Sequence, residues 1–108
     1  MTSNAYKIEY LPAAQQDMVD IVRYVSHDLH NPVAANKLAE EFLKAVDNLL
    51  MFPYTSATYY PIRPLKKEYR KLFVQNYIMF YWVNEKNKVV TVVRVIYAHR
   101  NYEKLLAD

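Results

Sequence analysis

One histidine and several cations lie beside apolar, β-rich stretches in the second half of the chain, where they could act on a phosphate group. His99 and Arg100 follow the stretch Val89–Tyr97, and Arg70 and Lys71 lie near the start of another such stretch. Imidazole can give and take protons near neutral pH, and guanidinium can bind phosphate through two parallel hydrogen bonds. These residue types could support metal-free cleavage of RNA, in which a 2′-hydroxyl attacks the neighbouring phosphate.

The candidate residues divide into a catalytic set and a substrate-binding set. We assign proton transfer to His99 and phosphate binding to Arg100 and Arg70. Cationic and aromatic side chains form the second set, the aromatic ones because they can stack on unpaired bases; its members are Arg63, Lys66, Lys67, Lys71, Tyr97 and Tyr102. For the charged residues, the alternative is an ordinary solvated surface.

Three β-rich runs must position these side chains. They are Tyr69–Val74, Tyr77–Val83 and Val89–Tyr97, and they consist mostly of β-branched and aromatic residues, which favour strands. Two residues connect the first pair of runs and five connect the second pair. Because connections this short join antiparallel neighbours, the sequence predicts a three-stranded antiparallel meander.

The first part of the chain predicts a strand followed by a helix. Apolar and polar residues alternate over Tyr6–Tyr10, which indicates a strand. Pro12 suits the first turn of a helix, and apolar residues then recur at helical spacing as far as residues 28–30. Asp17, Asp20 and Arg23 are predicted to lie on the opposite, outer side of this helix.

A second helix is predicted to begin at Asn31 and Pro32, because Asn is a favourable N-cap and Pro suits the first helical position. Its apolar spacing continues to about Met51. Two helices joined by so short a loop form an antiparallel hairpin. Residues 53–65 contain three prolines without periodicity and are predicted to be irregular, and a short helix is predicted over residues 101–106.

Together these elements predict a mixed α/β fold of the α+β kind. It has an N-terminal strand, an antiparallel helical hairpin packed on the three-stranded antiparallel meander, and a short C-terminal helix or tail. A length of 108 residues is typical of one domain, so we expect a single domain over residues 1–108.

Composition excludes several function classes and indicates the type of partner. The chain has no glycine and no cysteine, which excludes glycine-rich phosphate loops, disulfides and thiolate metal sites. Residues 1–60 contain four Lys/Arg and seven Asp/Glu, whereas residues 61–108 contain ten and four. Such a basic half indicates a nucleic-acid or acidic-protein partner. With neither a signal peptide nor a membrane span evident, we expect a cytoplasmic protein that does not enter membranes.

Several local signals occur in a characteristic order along the chain. They are the opening Tyr6–Met18 with its strand, small-residue helix start and Asp; Leu49–Pro53 at the end of the second helix; Arg63–Leu65 followed by Tyr69–Leu72; Asn76-Tyr77 with Phe80-Tyr81; and Arg94–Tyr102. In this order they resemble the RelE/ParE superfamily of bacterial toxins from type II toxin–antitoxin pairs. The resemblance covers nearly the whole chain.

The resemblance implies a toxin that arrests growth, needs no metal or cofactor, and forms a hetero-oligomer with a cognate acidic antitoxin. RelE-like members cut mRNA in the ribosomal A site, whereas ParE-like members keep the fold and poison DNA gyrase. The leading expectation is ribosome-dependent mRNA cleavage, with ribosome and mRNA as partners. The alternatives are gyrase inhibition without nuclease activity, and a non-toxic protein that binds the antitoxin as a corepressor.

One position departs from the nuclease pattern. RelE-like enzymes often carry Arg where this chain has Ile78, so a catalytic cation is missing there unless Arg70 or Lys71 replaces it. The resemblance also implies that an acidic antitoxin segment lies along the toxin surface. We expect that segment to neutralise the basic residues Arg63, Lys66, Lys67, Arg70 and Lys71.

Overall fold

The computed structural model describes residues 6–59 and 67–106. In chain order the elements are β1 (Lys7–Tyr10), α1 (Pro12–Arg23), a π-helical turn (Tyr24–Asp28), α2 (Pro32–Met51), β2 (Ala57–Thr58), β3 (Arg70–Val74), β4 (Tyr77–Asn84), β5 (Val89–Tyr97) and α3 (Tyr102–Leu106). The predicted α+β fold is therefore confirmed, including the meander of β3, β4 and β5. None of the helices within the described ranges is long and apolar enough to cross a membrane.

The five strands form one sheet in the order β1-β5-β4-β3-β2. β1 pairs in parallel with β5, from Lys7 opposite Val89 to Tyr10 opposite Val92. β2 lies within the segment predicted to be irregular and pairs with the start of β3. That prediction was wrong for residues 57–58, because a two-residue strand is too short to give a periodic signal.

The helices begin and end where local chemistry favours it. Pro12 and Pro32 occupy the starts of α1 and α2, and the Asn31 side chain accepts a hydrogen bond from the Ala34 backbone N–H at 3.0 Å. This bond satisfies one of the free N–H groups in the first turn. His30 follows the π-turn with a left-handed φ of 51°, which lets the chain reverse into α2.

Both faces of the central sheet are buried. On one face, Met79 and Tyr81 pack in the same cluster as Phe42 of α2. On the other, Ile78 and Phe80 pack in a cluster with residues of α3. Because both faces are covered, β4 is apolar at successive positions rather than at alternate ones. The meander is thus a rigid layer between the helical hairpin and the short C-terminal helix.

The sequence predicted that Asp17 lies on the outer side of α1, and this prediction was wrong. Its side chain is only 15% exposed and accepts hydrogen bonds from Arg94 Nε at 2.7 Å and Arg94 Nη2 at 2.9 Å. It also accepts one from the Val95 backbone N–H at 2.9 Å. β1 ends its pairing at Tyr10 opposite Val92, and Asp17 then supplies an acceptor further along the edge of β5. The carboxylate raises the pKa of Arg94, which keeps that residue charged.

Candidate functional site

His99 and Arg100 lie together in an exposed turn between β5 and α3. Tyr97, the last residue of β5, is 42% exposed, and its ring centroid lies 5.1 Å from that of His99. The Arg100 backbone N–H donates to the Tyr97 carbonyl at 3.0 Å, which holds this turn against the end of the strand. A histidine and an arginine therefore stand side by side at a rigid, accessible position.

Arg70 lies at the other end of the sheet. β3 and β5 both run antiparallel to β4, so the start of β3 and the end of β5 lie at opposite ends. Arg70 is opposite Tyr81 in the sheet, four residues along β4 from Tyr77, which is opposite Tyr97. Four strand residues span about 13 Å. The structure therefore does not bring Arg70 to His99 and Arg100, with which it was grouped as a catalytic set.

Arg70 has its own partners at that end. Its Nη1 donates to the Ser56 carbonyl at 2.7 Å, and its guanidinium carbon lies 5.0 Å from the centroid of the Tyr54 ring. Both contacts hold the turn that precedes β2 against the sheet. The arginine thus has an evident structural role.

Two predicted substrate-binding lysines lie beside aromatic rings. Lys67 Nζ is 4.1 Å from the centroid of the Trp82 ring. Lys71 Nζ is 6.0 Å from the ring centroids of both Tyr59 and Phe73. Cation–π attraction holds the ammonium groups against the sheet. Of the remaining basic candidates, Arg63 and Lys66 lie outside the described residues.

Tyr102 and Ile78 belong to the apolar packing beneath α3. The Tyr102 ring lies 5.2 Å from Phe80 and 5.9 Å from Tyr59, centroid to centroid. Ile78 is 1% exposed. Tyr102 is thus half-buried instead of forming an open stacking surface. Neither Arg70 nor Lys71 is the neighbour of Ile78 on β3, because Ile78 is opposite Phe73.

An aromatic surface that the sequence did not indicate lies at the end of the sheet near His99. Tyr77 lies 5.8 Å from Tyr97 and 6.2 Å from Phe42, measured between ring centroids. Burial raises the pKa of Tyr77, and the nearby hydroxyls of Tyr24 and Tyr97 raise it further. The short connection between β4 and β5 could have predicted that Tyr77, at the start of β4, lies beside the end of β5 and thus near Tyr97. No sequence signal placed Tyr24 there.

A polar cluster around Glu85 was also missed. Tyr6 and Tyr54 donate hydrogen bonds from their hydroxyls to Glu85 Oε1 at 2.7 and 2.6 Å, and Lys88 donates to Oε2. The bond from Lys88, followed by those from the tyrosines, lowers the pKa of Glu85 to about 2. The Glu85 bond raises the pKa of Tyr54 to about 12. The cluster joins three segments distant in sequence, so it serves the fold.

Comparison with known protein families identifies the class of protein, a toxin of a type II toxin–antitoxin system. The chain matches the model of the ParE toxin of the parDE type II system over residues 8–102 and belongs to that family. Comparison with curated protein sequences gave no match.

Solved structures of similar fold come from both branches of the superfamily. The chromosomal ParDE system of P. aeruginosa aligns with a TM-score of 0.69 at 16% identity, covering 90% of this chain and 100% of that one. A mutant of the E. coli toxin RelE in the free state aligns with a TM-score of 0.58 at 20% identity, covering 95% and 94%. The intact E. coli RelBE toxin–antitoxin complex aligns with a TM-score of 0.53 at 22% identity, covering 89% and 100%. At these identities the likeness shows the fold, which both branches share.

Proposed function

We propose that this toxin arrests growth by inhibiting DNA gyrase, as ParE-like members of the superfamily do, and not by cutting mRNA. The observation that supports the proposal is the distance between the candidate nuclease residues. His99 and Arg100 lie at one end of the sheet, and Arg70 lies at the other, about 13 Å along the strands. The antitoxin partner follows from membership of the toxin family.

The chemistry of RNA cleavage explains why this distance matters. A general acid or base must come within about 3 Å of the proton it transfers, and the cations that stabilise the developing charge must contact the same phosphate. Arg70 is too far from His99 to share one phosphate with it, and it already binds the Ser56 carbonyl. The buried Ile78 stands where a RelE-like enzyme often has Arg.

Ribosome-dependent mRNA cleavage is the second candidate, and one observation favours it. His99 and Arg100 are both exposed and adjacent at the end of a rigid strand. In that mechanism His99 would transfer the proton, and Arg100 would bind the phosphate. The toxin would have to work without the third cationic residue that the sequence suggested.

Two assays with the purified full-length toxin separate the candidates. We expect it to block supercoiling by gyrase and to trap cleaved DNA, while mRNA on translating ribosomes stays intact. Supercoiling that proceeds normally, together with cut mRNA, would refute the gyrase proposal.

A matched pair of histidine variants sharpens the second assay. If the protein is a nuclease, His99→Ala should slow mRNA cleavage about 10²- to 10⁴-fold, the usual value of acid–base catalysis. His27→Ala is the control, because His27 is exposed on the π-turn and has no role in that mechanism. Intact mRNA with the parent and both variants is the result that the gyrase proposal requires.

A further inference from the structure

The rings of Tyr77 and Tyr97 lie 5.8 Å apart, centroid to centroid, and the Tyr24 hydroxyl is near enough to Tyr77 to help raise its pKa; we call these three residues, Tyr24, Tyr77 and Tyr97, the tyrosine strip. Tyr24 is 49% exposed and Tyr97 is 42% exposed, while Tyr77 is half-buried and touches Tyr97. Within the described part of the chain, none of the three hydroxyls has a protein hydrogen-bond partner. The strip therefore offers exposed ring surface and unused hydrogen-bonding groups at the same place.

The π-turn is the element that contributes Tyr24. A π-turn inserts an extra residue into a helical turn and often occurs at functional sites. Here the turn closes with hydrogen bonds from the Leu29 N–H to the Tyr24 carbonyl at 3.0 Å and from the Asn31 N–H to the Val25 carbonyl at 3.1 Å. Tyr24 is thus held by an ordered backbone, which lowers the entropy that this segment of the protein would lose when a ligand binds.

The charges around the strip are mixed near Tyr24, where Asp20 and Asp28 lie about one helical turn away on either side, and cationic at the Tyr97 end, which favours an anionic ligand there. His99 stands against Tyr97, with Arg100 beside it, and Arg23 directly precedes Tyr24. The carboxylate of Glu41, near the turn that precedes Tyr77, accepts a hydrogen bond from the Gln75 amide at 3.0 Å.

We propose that the tyrosine strip binds single-stranded DNA. Unpaired bases have flat faces that stack on exposed aromatic rings, and their edges and phosphates can hydrogen-bond to the free hydroxyls. Arg100, beside His99 at the Tyr97 end of the strip, attracts the phosphate backbone. The choice of DNA over RNA rests on the proposed function, which places the toxin at an enzyme whose substrate is DNA.

Duplex DNA fits the strip less well. Its base faces are stacked inside the helix, so they cannot reach Tyr24 or Tyr97 without unstacking, which costs free energy. A duplex could use only the few cations around the strip.

The test is direct binding of a fluorescent oligothymidylate of about twelve nucleotides, a length within the usual site size for such surfaces. Anisotropy is measured with the purified full-length toxin in the absence of gyrase. We expect the single strand to bind more tightly than the same sequence in a duplex. Tyr24→Leu and Tyr97→Leu should each weaken binding about tenfold, because they remove the ring while keeping an apolar side chain.

Two further variants separate stacking from folding. Tyr97→Phe keeps the ring, so it should retain most of the affinity. Phe52→Leu is the matched control, since Phe52 is an exposed aromatic residue just past the end of α2, ten residues and about 15 Å beyond Phe42. It should bind as the parent does. Circular dichroism establishes that each variant is folded.

Besides an absence of binding to single-stranded DNA, three results would overturn the proposal. They are equal affinity of the parent and both Leu variants, preference for the duplex, and preference for oligouridylate RNA over DNA. Because gyrase is absent from this assay, loss of binding and loss of gyrase inhibition are observed independently. A toxin that inhibits gyrase but binds no single-stranded DNA would refute the strip proposal and leave the proposed function standing.

Discussion

Asp17 connects α1 to the sheet through a charged side chain, the one residue of α1 seen to do so within residues 6–59 and 67–106. It accepts three hydrogen bonds, two from Arg94 and one from the Val95 backbone N–H. A helical pattern assigns a polar residue to the solvent side, and for Asp20 and Arg23 that assignment holds because both are exposed. Asp17 is different, since burial of a carboxylate is tolerated where charged and backbone donors compensate for lost water.

Replacing Asp17 with Ala should therefore destabilise the fold substantially. The change leaves the Arg94 guanidinium and the Val95 N–H without their acceptor in a half-buried place. We expect the free energy of unfolding to fall by about 2–3 kcal/mol, the usual cost of leaving such groups unsatisfied. Urea denaturation followed by circular dichroism measures it.

The control for this prediction is Asp20→Ala on the same helix. Asp20 is exposed and contacts only the Gln16 amide, at 2.8 Å, among the residues described. Its loss should change the free energy of unfolding by no more than about 0.5 kcal/mol. If Asp17→Ala is as mild as Asp20→Ala, the carboxylate does not stabilise the edge of β5.

At the level of elements, the sequence was sufficient to predict the main strands and helices. Long runs such as Val89–Tyr97 carry strong β propensity, and Pro12 and Pro32 mark helix starts, so the strands of the meander and the helix starts were predicted within a residue or two. The first helix was predicted to continue to residues 28–30, whereas α1 ends at Arg23 and a π-turn follows it. The pairing of β1 with β5 was not predictable in the same way. A parallel partner distant in sequence leaves no local signal, and its register depends on the packing of the whole sheet.

The candidate site was less predictable than the elements. His99 and Arg100 were correctly placed at the end of a strand because they follow it directly in the chain. Arg70 was grouped with them by residue type alone, although a meander puts the start of its first strand and the end of its last at opposite ends of the sheet. Tyr24 could not be placed, since its position depends on a π-turn that ordinary helical spacing does not indicate.

The turn after the π-helix gives a prediction about backbone strain. In a chain without glycine, the left-handed conformation at His30 is held by a residue with a Cβ atom, which costs free energy. His30→Gly should stabilise the protein by about 0.5–1 kcal/mol, because relief of the clash exceeds the added freedom of the unfolded chain. Chemical denaturation of the variant and the parent measures the difference.

His27→Gly is the matched control, three residues earlier in the π-turn. There the backbone is helical, so glycine should destabilise the protein by about 1 kcal/mol. Opposite signs for the two substitutions are expected. A loss of stability in both variants would mean that the His30 side chain contributes contacts worth more than the strain.

At the level of the whole molecule, charge is distributed unevenly. Residues 61–108 contain most of the Lys and Arg residues. Near the start of β3, the ammonium groups of Lys67 and Lys71 lie beside aromatic rings. Arg70 beside them is engaged with the Ser56 carbonyl. For an acidic antitoxin segment, the two lysines are therefore the described cations most open to long-range attraction in this region.

Reversing both lysines should slow antitoxin binding. We expect Lys67→Glu with Lys71→Glu to lower the association rate constant about tenfold at low salt and to flatten its salt dependence, because exposed charges act mainly on association. Stopped-flow mixing at two salt concentrations measures this. The control reverses Lys37 and Lys86, which are exposed elsewhere and give the same net charge. If association is independent of salt, or if both double variants slow it equally, the antitoxin is not steered by Lys67 and Lys71 and docks on an apolar surface instead.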